Sequence, residues 1–462
     1  MSKLFLTLLL FLLPVSALAQ TTSNQTASKM NKVVPYSYTI DDLPNGLRLV
    51  TMPTDYPNLV ALYIVVQAGS RNEVEPGKSG YAHLFEHMMF RGSEHYTPEQ
   101  RDEILKRAGA SSNAYTSDDR TVYHEVFARD DLDQVMKLEA DRFEHLKYSP
   151  DVYRTETRAV LGEYNKNSAS PISKLYEKLR ETAFDRHTYK HTTMGFISDI
   201  EDMPNQYDYS LKFYQRYYRP EYTTILLVGD VKRDEALALT RKYFSDWKRG
   251  DYAPQIPAEP EQTAPRTAHI DWPAPTLPYL VVAFHGPAYS DVEKDKAALD
   301  LLAPIAFGEN SDLYQKLVLK EQKVDLLEVS FDNQADPELF GVFARIKDAK
   351  DVDYVRDQIL TTFRRFTTEL VPQARLDATR SRMRYGAVLA MNSSEAIASA
   401  LAPFIALRRT PETVDKLFAL YERITPEDIR RYASRYFTDR HRIIVTLSAG
   451  KEAAGMNNKN HQ

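Results

Sequence analysis

Two stretches more than two hundred residues apart end in the same way. "LKFYQRYYRPEYTTILLVGDV" (211–231) and "IRRYASRYFTDRHRIIVTLSA" (429–449) each run from an aromatic-rich helix through a short polar turn into an apolar strand. Between them "DYAPQIPAEPEQTAPRT" carries four prolines and little hydrophobicity, the composition of an interdomain linker. Helix–turn–strand endings are common by themselves, but the recurrence of one element order on either side of such a linker reads as two copies of one α+β unit. The expected layout is a first domain over 35–250, a linker over 251–268 and a second domain over 269–450.

The ends are read differently. "MSKLFLTLLLFLLPVSALAQ" has Lys3, an apolar run from Leu4 to Leu13, and the small-residue site Ala17-Leu18-Ala19. That is the pattern of a cleavable signal peptide, 1–19, with cleavage after Ala19 and a periplasmic or secreted destination. The run is too short to span a bilayer. Residues 20–34 and the tail 451–462 are polar and expected to lack fixed structure. The chain has no cysteine, so an exported form relies on burial rather than disulfides. What remains of the 462 residues suffices for two domains of about 200 residues each. A net charge of −5 gives no electrostatic case for nucleic acid.

Within the first unit, alternating apolar residues flank an Asn45-Gly46 turn, and "NLVALYIVVQAGS" reads as a buried strand. Helical spacing covers 79–90 and 98–108, the latter with Thr97 as N-cap. "SSNAYTSDDRTVYHEVFA" is strand-like, and amphipathic helices are expected over 130–146, 150–166, 172–184, 207–217 and 233–247. The second unit reads strand "YLVVAFHGP", helices over 293–303 and 312–321, and strands "LLEVSF" and "LFGVFARIK". Helices over 352–370, 372–391 and 394–407 follow, then one near 426–436 and the strand "HRIIVTLSA".

"GYAHLFEHMMFRG" (80–92) carries the chemistry. On a helix, His83 and His87 lie one turn apart on one face and can converge on one ion. Glu86 borders that face and can take a proton from a water without being a ligand. Set among Leu84, Phe85, Met88, Met89 and Phe90, a buried His-Glu-His group is costly unless an ion compensates it. A catalytic zinc usually takes three protein ligands, and "YRTETRAVLGEYNKN" offers Glu156 and Glu163, two helical turns apart on one face. His187 and His191, around Tyr189, form a rival pair in a loop.

Together these residues resemble the pitrilysin/insulinase family of zinc peptidases (M16, inverzincins), whose inverted motif is H-x-x-E-H. Glu163 falls 76 residues beyond His87 (163 − 87), with Glu156 seven before it, as in that family's pattern. "NAYT" (113–116) is similar to its substrate-receiving edge strand. The resemblance implies two homologous domains, each a mainly antiparallel sheet packed against helices. It implies one Zn²⁺ per chain on His83, His87 and Glu163, with Glu86 as general base and Glu156 orienting a histidine ligand. Asn113 and Ala114 would pair with an extended peptide substrate. Full members carry an arginine and a tyrosine in the second half, where this chain has Val318 and Asp325. The resemblance therefore implies the zinc-bearing subunit of a heterodimer, completed by a similar chain that supplies the arginine and tyrosine. The competing reading is a non-catalytic scaffold subunit; a hydrolase of small amides suits the "NAYT" strand less well.

Overall fold

The computed structural model describes residues 32–450. The signal peptide, most of the 20–34 segment and the 451–462 tail lie outside the described residues. The chain forms two mixed sheets, each with helices on both faces. The first contains β1 (Thr39–Asp42), β2 (Arg48–Pro53), β3 (Leu59–Val66), β4 (Ser111–Thr116), β5 (Thr121–Ala128) and β6 (Thr223–Gly229), in the order β1-β2-β6-β3-β5-β4. The second contains β7 (Arg266–Trp272), β8 (Tyr279–His285), β9 (Val324–Ser330), β10 (Leu339–Ile346) and β11 (Arg442–Ala449), in the order β7-β11-β8-β10-β9.

The orders match strand for strand once β1 is set aside. In each sheet one pair is parallel, β2 with β6 and β7 with β11, and the other pairs are antiparallel. Such agreement in order and direction is what two copies of one unit produce, and the repeated helix–turn–strand ending is its last piece.

Burial along β3 shows how the halves join. A half-buried strand alternates apolar and polar residues, whereas Val60 through Val66 are all buried. Val60, Leu62, Ile64 and Val66 point into the first half's own core with Leu84, Phe85 and Met88. Ala61, Tyr63 and Val65 point the other way and meet Ile397, Leu401 and Ile405 of helix Ser394–Arg408, which comes from the second half. The exchange is mutual. Leu175, Leu179 and Ala183 of helix Pro171–Ala183 cover Val281, Ala283, Ile443 and Val445 on the second sheet. Each half thus lends a helix to close the other's outer face.

Polar contacts reinforce the seam. Asp336 from the second half accepts from Arg71 Nε at 2.5 Å and His187 Nε2 at 3.0 Å. Asp118 accepts two bonds from Arg180 and one from Gln334 Nε2.

The expected helices form, with short shifts at their ends. The stretch expected as a helix over 312–321 begins as one but continues as a π-turn over Gln315–Lys320. Helices Ile197–Asp202 and Glu412–Arg423, and strand β7, are present in addition to the elements expected from the sequence. No helix among the described residues is long and apolar enough to cross a membrane.

Candidate metal centre

Helix Tyr81–Met88 carries the inverted motif and starts at Gly80, whose φ of +87° suits glycine. It packs its apolar side against the first sheet and turns His83 and His87 towards helix Pro150–Ser168. That helix is capped by Ser149, whose side chain accepts from Val152 N, and its Glu163 reaches the same point. Glu163 Oε2 lies 3.6 Å from His83 Nε2 and 3.5 Å from His87 Nε2. One ligand atom from each of the three falls within 4.8 Å of the others, and among the described residues no other such group of histidines and carboxylates occurs. The imidazole rings cross at 75° with centroids 4.9 Å apart, so both nitrogens converge rather than stack. Two imidazoles and one carboxylate are the donor set of a catalytic zinc site, with a position left open.

The surroundings adjust each group. Burial pushes His83 down to about 4, with His87 adding to the effect, so this ring stays neutral and keeps a lone pair free. His87 is raised by the carboxylate of Glu156, whose Oε2 lies 3.7 Å from Nδ1, an ion-pair contact rather than a hydrogen bond. Burial works to raise Glu156, but His87 and Arg91 outweigh it and hold the carboxyl below its usual value. Arg91 Nε donates to Glu156 Oε1 at 2.7 Å. Glu86 stays out of the converging group. Burial raises its pKa against the pull of Thr116, whose Oγ1 donates to Glu86 Oε2 at 2.7 Å.

Thr116 ends β4, the outermost strand of the first sheet, which pairs through Asn113↔His124 and Ala114↔Tyr123 and has no strand on its other side among the described residues. Asn113 and Ala114 therefore sit on an open edge beside the motif helix. An extended peptide could add there as a further strand. The "NAYT" motif was legible in sequence, but that its threonine holds Glu86 shows only once strand and helix meet. Arg91 was likewise visible in "FRG" without any sign of its partner.

Several other sequence candidates take no part. His187 donates to Asp336 and accepts from Tyr189 N through Nδ1, while His191 Nδ1 donates to Thr192 O. The two bond to different partners and, among the described residues, belong to no converging group of ligands. A cavity of about 620 Å³ is lined by the linker, His187, His285 and His441 and does not include the motif residues. In the second half Val318 packs partly buried against the core, and Asp325 pairs with Arg345 Nε at 2.9 Å.

Two histidines and a glutamate thus converge beside an open strand edge in the first of two domains of matching topology. Residues 49–196 match the family model described as Insulinase (Peptidase family M16), and residues 206–383 match the Peptidase M16 inactive domain. The chain belongs to the M16 (insulinase) family. It is 29% identical over 419 residues to "Zinc protease PqqE" of Helicobacter pylori, covering 88% of this chain and 91% of that one. The "Probable mitochondrial-processing peptidase subunit beta, mitochondrial" of Arabidopsis thaliana is 24% identical over 427 residues, 88% of this chain and 78% of the relative. The crystal structure of a protease from Helicobacter pylori superimposes with a TM-score of 0.83 at 27% identity, covering 89% of this chain and 99% of the other.

Proposed function

We propose that the protein is a zinc-dependent endopeptidase acting on unstructured peptides. The observation that carries this is the convergence of His83, His87 and Glu163 with Glu86 alongside but not among them. The relatives' description as a zinc protease supports the choice of metal. Bound there, zinc would acidify water and polarise the scissile carbonyl.

The chain's own residues supply the rest. A peptide lies along β4 with its backbone paired to Asn113 and Ala114, which sets the scissile bond beside the motif helix. Glu86 takes a proton from the attacking water on its carboxylate and passes it to the leaving amine. Thr116 aims that carboxylate, and Glu156, held by Arg91, fixes the ring of His87.

The second half supplies no arginine or tyrosine at Val318 and Asp325 to steady the developing oxyanion. Loss of one such donor typically costs about 10²–10³ in rate. The active form is accordingly a heterodimer in which a similar chain brings those groups. The expected site of action is the periplasm or the cell exterior, from the signal peptide pattern.

The test is to purify the chain alone and with the similar-sized product of a neighbouring gene, then measure zinc content and peptide cleavage. One zinc per chain is expected, with cleavage in the pair abolished by Glu86→Gln while zinc is retained. Full activity of the isolated chain would exclude the partner. A metal-free, inactive protein of unchanged stability would establish a scaffold subunit instead.

A further inference from the structure

We propose that Glu73 is a positioning residue for the metal centre: its carboxylate sets where the motif helix begins, and so where His83 and His87 point. This rests on the reading of His83, His87 and Glu163 as zinc ligands.

The first N–H groups of a helix have no partner within it. Gly80 stands at the N-cap without a side chain to supply one. Glu73 does so from seven residues upstream: Oε2 accepts from Gly80 N and Oε1 from Ala82 N, both at 2.7 Å. The side chain is almost wholly buried; burial pushes its pKa up, against the pull of the two N–H groups that it accepts from. His191 Nδ1 lies 3.7 Å from the same Oε2, but its proton is already given to Thr192 O, so it does not compete for the carboxylate.

Glu73 is itself held by the hairpin that carries the edge strand. It follows the turn Ser70–Asn72, in which Arg71 N donates to Asp118 O at 2.8 Å and Ser70 Oγ to Asp118 Oδ1 at 2.8 Å. Asp118 lies in the connection between β4 and β5. The carboxylate therefore ties the histidine-bearing helix to the strand bearing Asn113, Ala114 and Thr116. A second tie comes from Asp199, whose Oδ2 accepts from Ser79 Oγ at 2.6 Å. Gly195 closes the socket, where an added Cβ would stand 2.7 Å from Gly80 N.

The helix has eight residues, little more than two turns, so its length alone does not resist slipping along its axis. A slip of one residue is about 1.5 Å, against a tolerance of about 0.2 Å in metal–ligand distances. Holding the start of the helix is thus a condition for holding the ion.

Glu73→Gln keeps the size but turns an amide N–H₂ towards an N–H that needs an acceptor. Zn²⁺ affinity of the full chain would be measured by competition with a chromophoric chelator, and site geometry by the visible absorption of the Co²⁺-substituted protein. A Tyr421→Phe control removes a buried bond to Asp300 in the other half, far from the motif. Glu73→Gln is expected to weaken Zn²⁺ binding by about 10–100-fold, the range seen for groups that orient ligands, and to alter the Co²⁺ spectrum, while the control leaves both unchanged. Wild-type Zn²⁺ affinity and an unaltered spectrum in Glu73→Gln, even with a lowered melting temperature, would overturn the proposal. Should that variant not fold, Glu73→Asp, which is too short to reach both N–H groups, decides by the same two readings. A wild-type chain that binds neither metal would instead refute the zinc reading beneath it.

Discussion

The exchanged helices make a prediction that a two-domain reading of the chain would not. Leu401 belongs in sequence to the second half but is fully buried against the outer face of the first sheet, with Ala61, Tyr63 and Val65 around it. Leu401→Ala removes three carbons from a site closed on both sides. Helix and sheet are each pinned by neighbours, Ile397 and Ile405 on one and β6 on the other, so the gap cannot readily collapse. The cost of such a change runs from about 2 to 5 kcal/mol, and limited relaxation places it near 3 or above. For a unit of about 200 residues that is a fall of about 6–12 °C in melting temperature, and about half of that where both halves melt together.

The two tryptophans report separately: Trp247 is buried in the first core, and Trp272 is the last residue of β7 in the second sheet, half-buried. In a Trp272→Phe background, Leu401→Ala should lower the transition seen by Trp247. A shift seen only by Trp272, in a Trp247→Phe background, would refute the exchange. So would a loss below about 1 kcal/mol, since a fully enclosed leucine cannot be removed so cheaply.

Two further predictions concern the site and the seam. Thr116→Val removes the donor to Glu86, and a hydrogen bond to a charged group is worth about 1.5–3 kcal/mol, so kcat in the active complex should fall about 10–100-fold. That bond favours the carboxylate, so its loss raises the pKa of Glu86 and moves the acid limb of the kcat/KM profile to higher pH; an unmoved limb would remove Thr116 from the mechanism. Burial works to raise Asp336, but His187 and Arg71 hold it down at about 2, below the ordinary 3.8. A depressed carboxylate contributes stability that is present above its unfolded pKa and is lost as pH falls through the folded one. The melting temperature should therefore drop between about pH 4 and pH 2 by this contribution, and Asp336→Asn should flatten that part of the profile; parallel profiles would show the pair to be without effect.

Much of the site could be read from the chain because its parts are local. His83, Glu86 and His87 share one helical face by spacing alone, and the seven-residue interval between Glu156 and Glu163 puts both on one side of another helix. Periodicity of this kind needs only the 3.6-residue turn. The partners that aim these groups were not legible. Thr116 and Glu73 lie 30 and 10 residues from the groups they serve, Glu86 and His83, and no spacing rule joins a strand end or a turn to a helix. Strand β7 carries only a weak apolar signal because its residues alternate between exposed and half-buried positions at a sheet edge.

The sequence by itself determined that there are two α+β units, that helices and strands recur in one order, and that a histidine pair and a glutamate follow the spacing of a metal-ligand pattern. These follow from local periodicity and from repetition, both written along the chain. Only the tertiary structure decided that the two units are not independent. The apolar run of β3 is compatible with any partner on its outer face, because hydrophobic burial has no direction of its own. That the partner is the Leu401 helix from the other half is settled by where the chain, folded, brings a complementary face.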